Sequence, residues 1–168
     1  MFKKILLSIF ILLFVAACAT TPKDTADSSG SGSSSSSSSV SSESESSPSI
    51  VPGSQEDLIV NVGDRVFFAF DSAELDSDAQ ELLQDQAAWI KQHDVTVTIE
   101  GHCDERGTRE YNLALGEKRA QAVKNHLISL GIAATRVKAI SYGKERPAVV
   151  GSNEAAWGQN RRSVTTVN

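Results

Sequence analysis

A serine-rich stretch divides the chain and limits what it can fold into. From residue 28 to residue 47 nearly every residue is serine, with two glycines, one valine and two glutamates between them. This segment has too little apolar surface to offset the conformational entropy lost on folding, so it predicts a flexible coil. Apolar and charged residues mix in globular proportion only after it, and we expect the folded domain in residues 57–168.

The first 17 residues have the layout of a secretory signal peptide. Lys3 and Lys4 precede an apolar run from residue 5 to residue 15, and small residues follow it. The alternative is a membrane-spanning helix, which needs about 20 apolar residues. The run is shorter than that and is followed by polar chain, so a removable leader is the favoured interpretation.

The four residues 15–18 (Val-Ala-Ala-Cys) resemble the lipobox of bacterial lipoproteins. The resemblance implies cleavage before Cys18 and lipid on that residue, and Ala19 in place of Asp implies transfer to the outer membrane. Several acyl chains on one residue anchor a protein stably, whereas one chain anchors it marginally. The alternative is an ordinary cleavage site with an incidental cysteine. Residues 18–56 would form a tether with a root-mean-square span of roughly 35 Å.

The charge of the chain argues against nucleic acid as a partner. The formal net charge is -5, and removal of the leader would take two lysines with it. Phosphate backbones are bound by clustered Lys and Arg, and this sequence has no basic stripe. A small cationic pocket remains compatible with an acidic chain.

The periodicity of residues 57–168 predicts strands alternating with helices. Strands are expected at 65–70, 95–99, 137–142 and 162–167, and a short helix at 153–159. A first long helix should begin with a capping box formed by Ser77 and Gln80. A second long helix carries apolar or small residues at helical spacing, namely Leu113, Gly116, Ala120, Val123, Leu127 and Leu130, and should end at Gly131.

This order of elements predicts an α+β domain with two layers. We expect a mixed sheet of about four strands with helices packed on one face, and some strand pairs parallel through right-handed crossovers. The helices return the chain between strands, so the loops near Phe70 and Gly101 should lie side by side.

One long motif carries a family resemblance. Residues 101–108 (GHCDERGT) and 111–120 (YNLALGEKRA) resemble the signature of OmpA-like peptidoglycan-binding domains. Residues 68–71, 141–149 and 160–162 extend the similarity to lipoprotein members of that family, so that it covers residues 65–167. The resemblance implies a two-layer sandwich that binds peptidoglycan without catalysis, metal or cofactor, and it implies TolB and TolA as partners.

The family's ligand is a peptidoglycan stem peptide containing diaminopimelate, whose side chain ends in an ammonium and a carboxylate. By resemblance, Asp104 would accept from the ammonium and Arg119 would hold the carboxylate with its two-pronged guanidinium. Gly101 and Gly107 flank Asp104 and would let backbone amides approach a ligand. The resemblance places further residues around the pocket: Phe70, Asp71, Thr108, Asn112 and Leu115.

Structural alternatives exist for several of these residues. Phe70 and Leu115 could belong to the core, and Asn112 could be a surface amide of the helix. Asp104 and Arg119 could form an ion pair without a ligand. Arg161 and Arg162 are most simply a solvated strand start.

Two alternative functions, a wall hydrolase and a metal site, would use Cys103 and the histidines. A wall hydrolase would need Cys103 and a nearby base, but adjacent residues of an extended segment point to opposite faces, so His102 is poorly placed to serve it. We therefore expect Cys103 to be a small buried side chain. His93 should be a solvent-facing ring at a helix end, and the spacing of the histidines matches no zinc ligand set that we recognise. A surface antigen without wall affinity is a third alternative.

Overall fold

Four strands form one mixed sheet in the computed structural model, which describes residues 49–168. The predicted leader, Cys18 and the serine-rich stretch lie outside the described residues. The strands are β1 (Arg65–Phe67), β2 (Val97–His102), β3 (Val137–Gly143) and β4 (Arg162–Val167), in the spatial order β1-β4-β2-β3. The helices are α1 (Gln55–Asn61), α2 (Ser77–His93), α3 (Arg109–Ser129) and α4 (Glu154–Asn160), with a short 3-10 turn at Ala134–Arg136.

The strand directions bring the loops that follow β1, β2 and β3 to one edge of the sheet. β2 and β3 are parallel, and β4 is antiparallel to both β1 and β2. The carboxyl ends of β1, β2 and β3 therefore meet at the same edge, where β4 begins. The predicted α+β fold with a mixed four-stranded sheet is confirmed, and so is the expectation that the loops near Phe70 and Gly101 are neighbours.

The core lies between the sheet and the two long helices. Its fully buried members come mainly from α2, α3, β2 and β3, and include Leu83, Ile90, Val97, Ile99, Val123, Leu127 and Val137. The periodicity of α3 was predicted correctly, and Gly131 follows its end with a left-handed φ of 90°.

The helices that the structure describes are either too short or too polar to cross a membrane.

Several predicted element ends differ from the structure. Asp76, and not Ser77, caps α2, because its carboxylate accepts from Ala79 N at 2.8 Å. The first strand ends at Phe67 and not at residue 70, because the chain turns at Asp71, whose φ is 54°. The second strand begins at Val97 and runs to His102.

Helix α1 was not predicted. Its seven residues are too few for a clear periodicity, and the first two of them fall within the predicted tether, residues 18–56. Ser54 caps it, and the carboxylate of Asp57 is buried where it accepts from Gly53 N and Trp89 Nε1. This carboxylate fixes the start of the described chain against α2.

Two glycines allow α3 to lie directly on the sheet. A Cβ atom on Gly101 of β2 would lie 1.9 Å from Gly116 O, and one on Gly116 would lie 2.3 Å from Ser141 Oγ. Gly101 was expected to admit a ligand, but the structure corrects this: it admits the backbone of α3. Ser141 Oγ reinforces the contact by donating to Leu113 O at 2.7 Å.

We predict that Gly101→Ala lowers the free energy of unfolding by about 1–3 kcal/mol, because the new methyl group must push α3 off the sheet. Urea unfolding followed by circular dichroism measures this. Gly158→Ala in α4 is the control, since its nearest atom outside the helix backbone, Arg161 Nη2, is 3.7 Å away. It should be neutral or slightly stabilising, as alanine is the better helix former. Equal losses in both variants would contradict the packing argument.

Candidate functional site

A cavity of about 230 Å³ opens where the loops after β1 and β2 meet the start of α3. Six of the seven residues expected around the ligand line it: Phe70, Asp71, Asp104, Asn112, Leu115 and Arg119. Gly107, which was expected to let backbone amides approach a ligand, also lines it. Four lining residues were not assigned to the pocket from the sequence: Cys103, Arg106, Tyr111 and Arg161. The resemblance therefore located the cavity, but it identified only some of the charged residues that line it.

Asp104 lies just past the end of β2 and is almost fully buried. Its carboxylate accepts from Arg106 N, Nε and Nη2 at 3.1, 3.1 and 2.5 Å, and Arg161 Nη1 lies 3.4 Å from it. Burial alone would raise the pKa of Asp104, but the hydrogen bonds from Arg106 outweigh it and the pKa is lowered. Asp104 is therefore an ionised carboxylate whose acceptor positions are occupied by two arginines.

Arg106 is held between two aromatic rings. Its guanidinium carbon lies 4.2 Å from the ring centroid of Phe70 and 4.0 Å from that of Trp157. Such stacking is favourable because the ring faces carry partial negative charge. Arg106 is the more exposed of the two arginines on Asp104, and its position two residues after Asp104 is the sequence signal that could have identified it.

Arg119 is fully buried, and it joins the two loops. Its guanidinium donates to His102 O at 2.8 Å, to Ser72 O at 2.8 Å and to Ala69 O at 3.2 Å. Three of its five N–H groups are thereby committed to backbone carbonyls. The alternative of an ion pair between Asp104 and Arg119 is wrong, since Asp104 pairs with Arg106 and Arg161.

Of the remaining predicted residues, some line the cavity and others hold its loops in place. Phe70 is 63% exposed, so it is a wall of the cavity and not part of the core. Asp71 accepts from the phenol of Tyr111. Asn112 is buried, and its amide donates to Arg106 O and Thr108 O, so it holds the loop and is no surface amide. Thr108 is corrected: it caps α3 by accepting from Tyr111 N and does not line the cavity.

Arg161 and Arg162 are not a solvated strand start, because β4 lies inside the sheet between β1 and β2. Both arginines are buried, at 8% and 7% exposure. Arg161 donates to Phe68 O and Glu154 as well as facing Asp104, and Arg162 donates to Arg146 O. Burial, followed by the charge of Arg65, lowers the pKa of Arg162.

Cys103 is a small buried side chain, as predicted. It is 3% exposed, and its Sγ lies 3.3 Å from Asn112 O. Burial raises the pKa of its thiol. The neighbouring His102 is also buried, and burial together with Arg162 lowers its pKa to about 4, so the ring is neutral. This environment is unlike that of an activated nucleophile, which needs a lowered thiol pKa.

His93 is not solvent-facing. Its ring lies 4.7 Å from that of Trp89, and its Nε2 is 3.7 Å from the buried Asp57 carboxylate, because α1 covers this end of α2. Within residues 49–168 there is no group of three His, Cys, Asp or Glu side chains placed to hold a metal ion.

The OmpA family model matches residues 67–161, which includes every residue of the cavity. The chain belongs to the OmpA family. Within this family its similarity is to peptidoglycan-associated lipoproteins. That of Mesorhizobium japonicum is 43% identical over 166 residues, 97% of this chain and 90% of the relative. That of Agrobacterium fabrum is 54% identical over 120 residues, 71% and 68% of the two chains.

The OmpA fold is also shared with a solved structure. The crystal structure of the peptidoglycan-associated lipoprotein from Burkholderia pseudomallei is similar with a TM-score of 0.61 and 45% identity. The match covers 62% of this chain and 90% of that one.

We predict that Cys103 reacts slowly with thiol reagents in the native protein. Its thiol is covered and its pKa is raised, so modification should require local opening. With Cys18→Ser, Cys103 is the only cysteine left in the sequence. Alkylation at pH 8, followed by mass spectrometry, should be at least about 100-fold slower in buffer than in denaturing urea. Similar rates in both would contradict the burial of this side chain.

Proposed function

We propose that the chain binds stem peptides of peptidoglycan that contain diaminopimelate, without covalent chemistry. The observation that carries the proposal is the charge of the cavity. Its lining holds three guanidinium groups, from Arg106, Arg119 and Arg161, and two carboxylates, from Asp71 and Asp104. A peptide that carries one ammonium and more than one carboxylate complements this set.

The ammonium of the ligand would bind between the two carboxylates. Asp71 gives one oxygen to Tyr111, which leaves the other for the ligand. Asp104 can accept from the ammonium only if Arg106 moves, because its acceptor positions are taken. The side chain of Arg106 is 31% exposed, against 10% for Arg161, so its displacement costs less than that of the more buried arginine.

The carboxylate of the ligand would bind Arg119. Two of its N–H groups are not donated to backbone carbonyls, and the residue lines the cavity. A guanidinium already fixed by backbone contacts loses little conformational entropy when it binds a carboxylate. The displaced Arg106 would supply a second cation beside it.

The proposed cellular role is to tie the outer membrane to the wall. Lipid on Cys18 would hold the chain in the outer membrane, and the serine-rich tether would let the domain reach a wall held away from that membrane. As in a Tol-Pal system for envelope integrity and cell division, TolB and TolA would be its partners. These partners rest on kinship with the peptidoglycan-associated lipoproteins.

A wall hydrolase is the less favoured function. Its nucleophile would be Cys103, whose thiol is buried and has a raised pKa. The ring of the neighbouring His102 lies against Glu100 and Tyr142. We propose that the chain is a binding protein and not an enzyme.

The first test is selectivity between two muropeptides. We predict that a muropeptide with lysine in place of diaminopimelate binds about 10- to 100-fold more weakly, because it lacks the carboxylate for Arg119. Isothermal titration of the purified protein with both ligands measures the ratio. Equal affinities would contradict the assignment of a carboxylate to Arg119.

The second test is cosedimentation with isolated cell walls. Asp104 and Arg119 both hold the loops, so their replacement would alter the fold as well as the site. Phe70→Ala removes an exposed wall of the cavity instead, and should lower wall binding about 10-fold with little loss of stability. Phe67→Ala is the matched control, since Phe67 is 43% exposed but lies outside this cavity.

The same samples separate the alternatives. Release of soluble wall fragments that stops with Cys103→Ser would identify a hydrolase. Absence of cosedimentation for the unchanged protein would identify a protein without wall affinity, such as a surface antigen.

A further inference from the structure

A second, smaller cavity adjoins the site. Its volume is about 90 Å³, and Cys103 lines both cavities. Glu105 lines the smaller one, while its neighbours Asp104 and Arg106 line the larger. The two cavities therefore lie on either side of one short loop. Because Cys103 lines both cavities, a residue adjacent to one held in the first cavity comes within reach of the second.

The outer wall of the smaller cavity is a pinned segment that exposes two valines. Val149 is 42% exposed and Val150 is 92% exposed. The buried Asn160 holds this segment by accepting from Ala148 N and Val149 N at 2.7 and 3.1 Å and by donating to Val149 O at 2.7 Å. Single exposed apolar residues are ordinary on a protein surface. Two consecutive ones, on a segment that a buried side chain holds by hydrogen bonds, form a preorganised apolar surface.

The polar groups of the smaller cavity favour a carboxylate. Lys144 Nζ donates to Gly107 O at 2.7 Å and to Glu105 O at 3.1 Å, which leaves one of its three N–H groups for a ligand. The acid beside it is already engaged, since hydrogen bonds from Ser152 and Trp157 lower the pKa of Glu105. The cavity thus combines an apolar wall with one available cationic donor.

The geometry points to a second subsite, for the alanyl residue that follows diaminopimelate in the stem peptide. Its methyl group would contact Val149 and Val150, and its terminal carboxylate would bind Lys144. This inference rests on the proposed function and deepens it. The protein would bind two consecutive residues of the stem peptide and would therefore prefer tetrapeptide stems to tripeptide stems.

The experiment is a titration of the full-length protein with three peptides. They are L-Ala–γ-D-Glu–meso-diaminopimelate, the same peptide extended by D-Ala, and the extended peptide with its terminal carboxylate amidated. The unchanged protein should bind the extended peptide roughly 5-fold more tightly than the tripeptide, through the buried methyl group and the carboxylate. Amidation should remove part of that gain.

Val149→Ser and Val150→Ser should bring the ratio between extended peptide and tripeptide close to one while leaving tripeptide affinity unchanged. Val60→Ser is the control, since Val60 is 60% exposed on α1 and lies in neither cavity. A ratio of one in the unchanged protein, or an unaltered ratio in both valine variants, would overturn the second subsite while leaving the first intact. Failure of all three peptides to bind would overturn the proposed function itself.

Discussion

The buried guanidinium of Arg119 is the interaction on which the site depends. It donates to carbonyls at residues 69, 72 and 102, and so joins the loop after β1 to the end of β2. Those carbonyls are not paired in the hydrogen-bond ladder of the sheet, so they need other donors. A single planar group with donors on three nitrogens can satisfy carbonyls from two loops at once, which a lysine ammonium could not do in the same geometry. The cavity exists because these two loops are held together.

The position of Arg119 depends in turn on how closely α3 approaches the sheet. Gly101 and Gly116 remove the side chains that would separate helix and strand, and Ser141 bonds to the backbone of the helix. Asn112, one turn of α3 before Gly116, then reaches the loop after β2 and holds it by donating to two of its carbonyl groups. The packing of one helix thus sets both the buried cation and the shape of the loop that carries Asp104.

Asp104 is neutralised within the cavity in a way that suits an ionic ligand of modest affinity. Arg106 and Arg161 neutralise Asp104, so the ligand-free site does not leave a buried carboxylate unpaired. A ligand must compete with those contacts, and its net gain is smaller than the sum of the new hydrogen bonds. Under the proposed function, lipid on Cys18 and the serine-rich tether would concentrate the domains near the wall, so a modest affinity at each site would suffice.

Much of this molecule follows from its sequence. Periodicity was enough to find α2, α3 and β2, because a half-buried helix or strand must repeat its apolar residues with the period of its backbone. Residue composition and flanking turn residues indicated the other strands. The family resemblance was enough to locate the cavity and six of the residues that line it. Tertiary structure alone decided which charges meet: Asp104 pairs with Arg106 and with the distant Arg161, while Arg119 binds carbonyls. Spacing along a chain gives the face on which a charge lies, but its partner depends on which loops the sheet brings together.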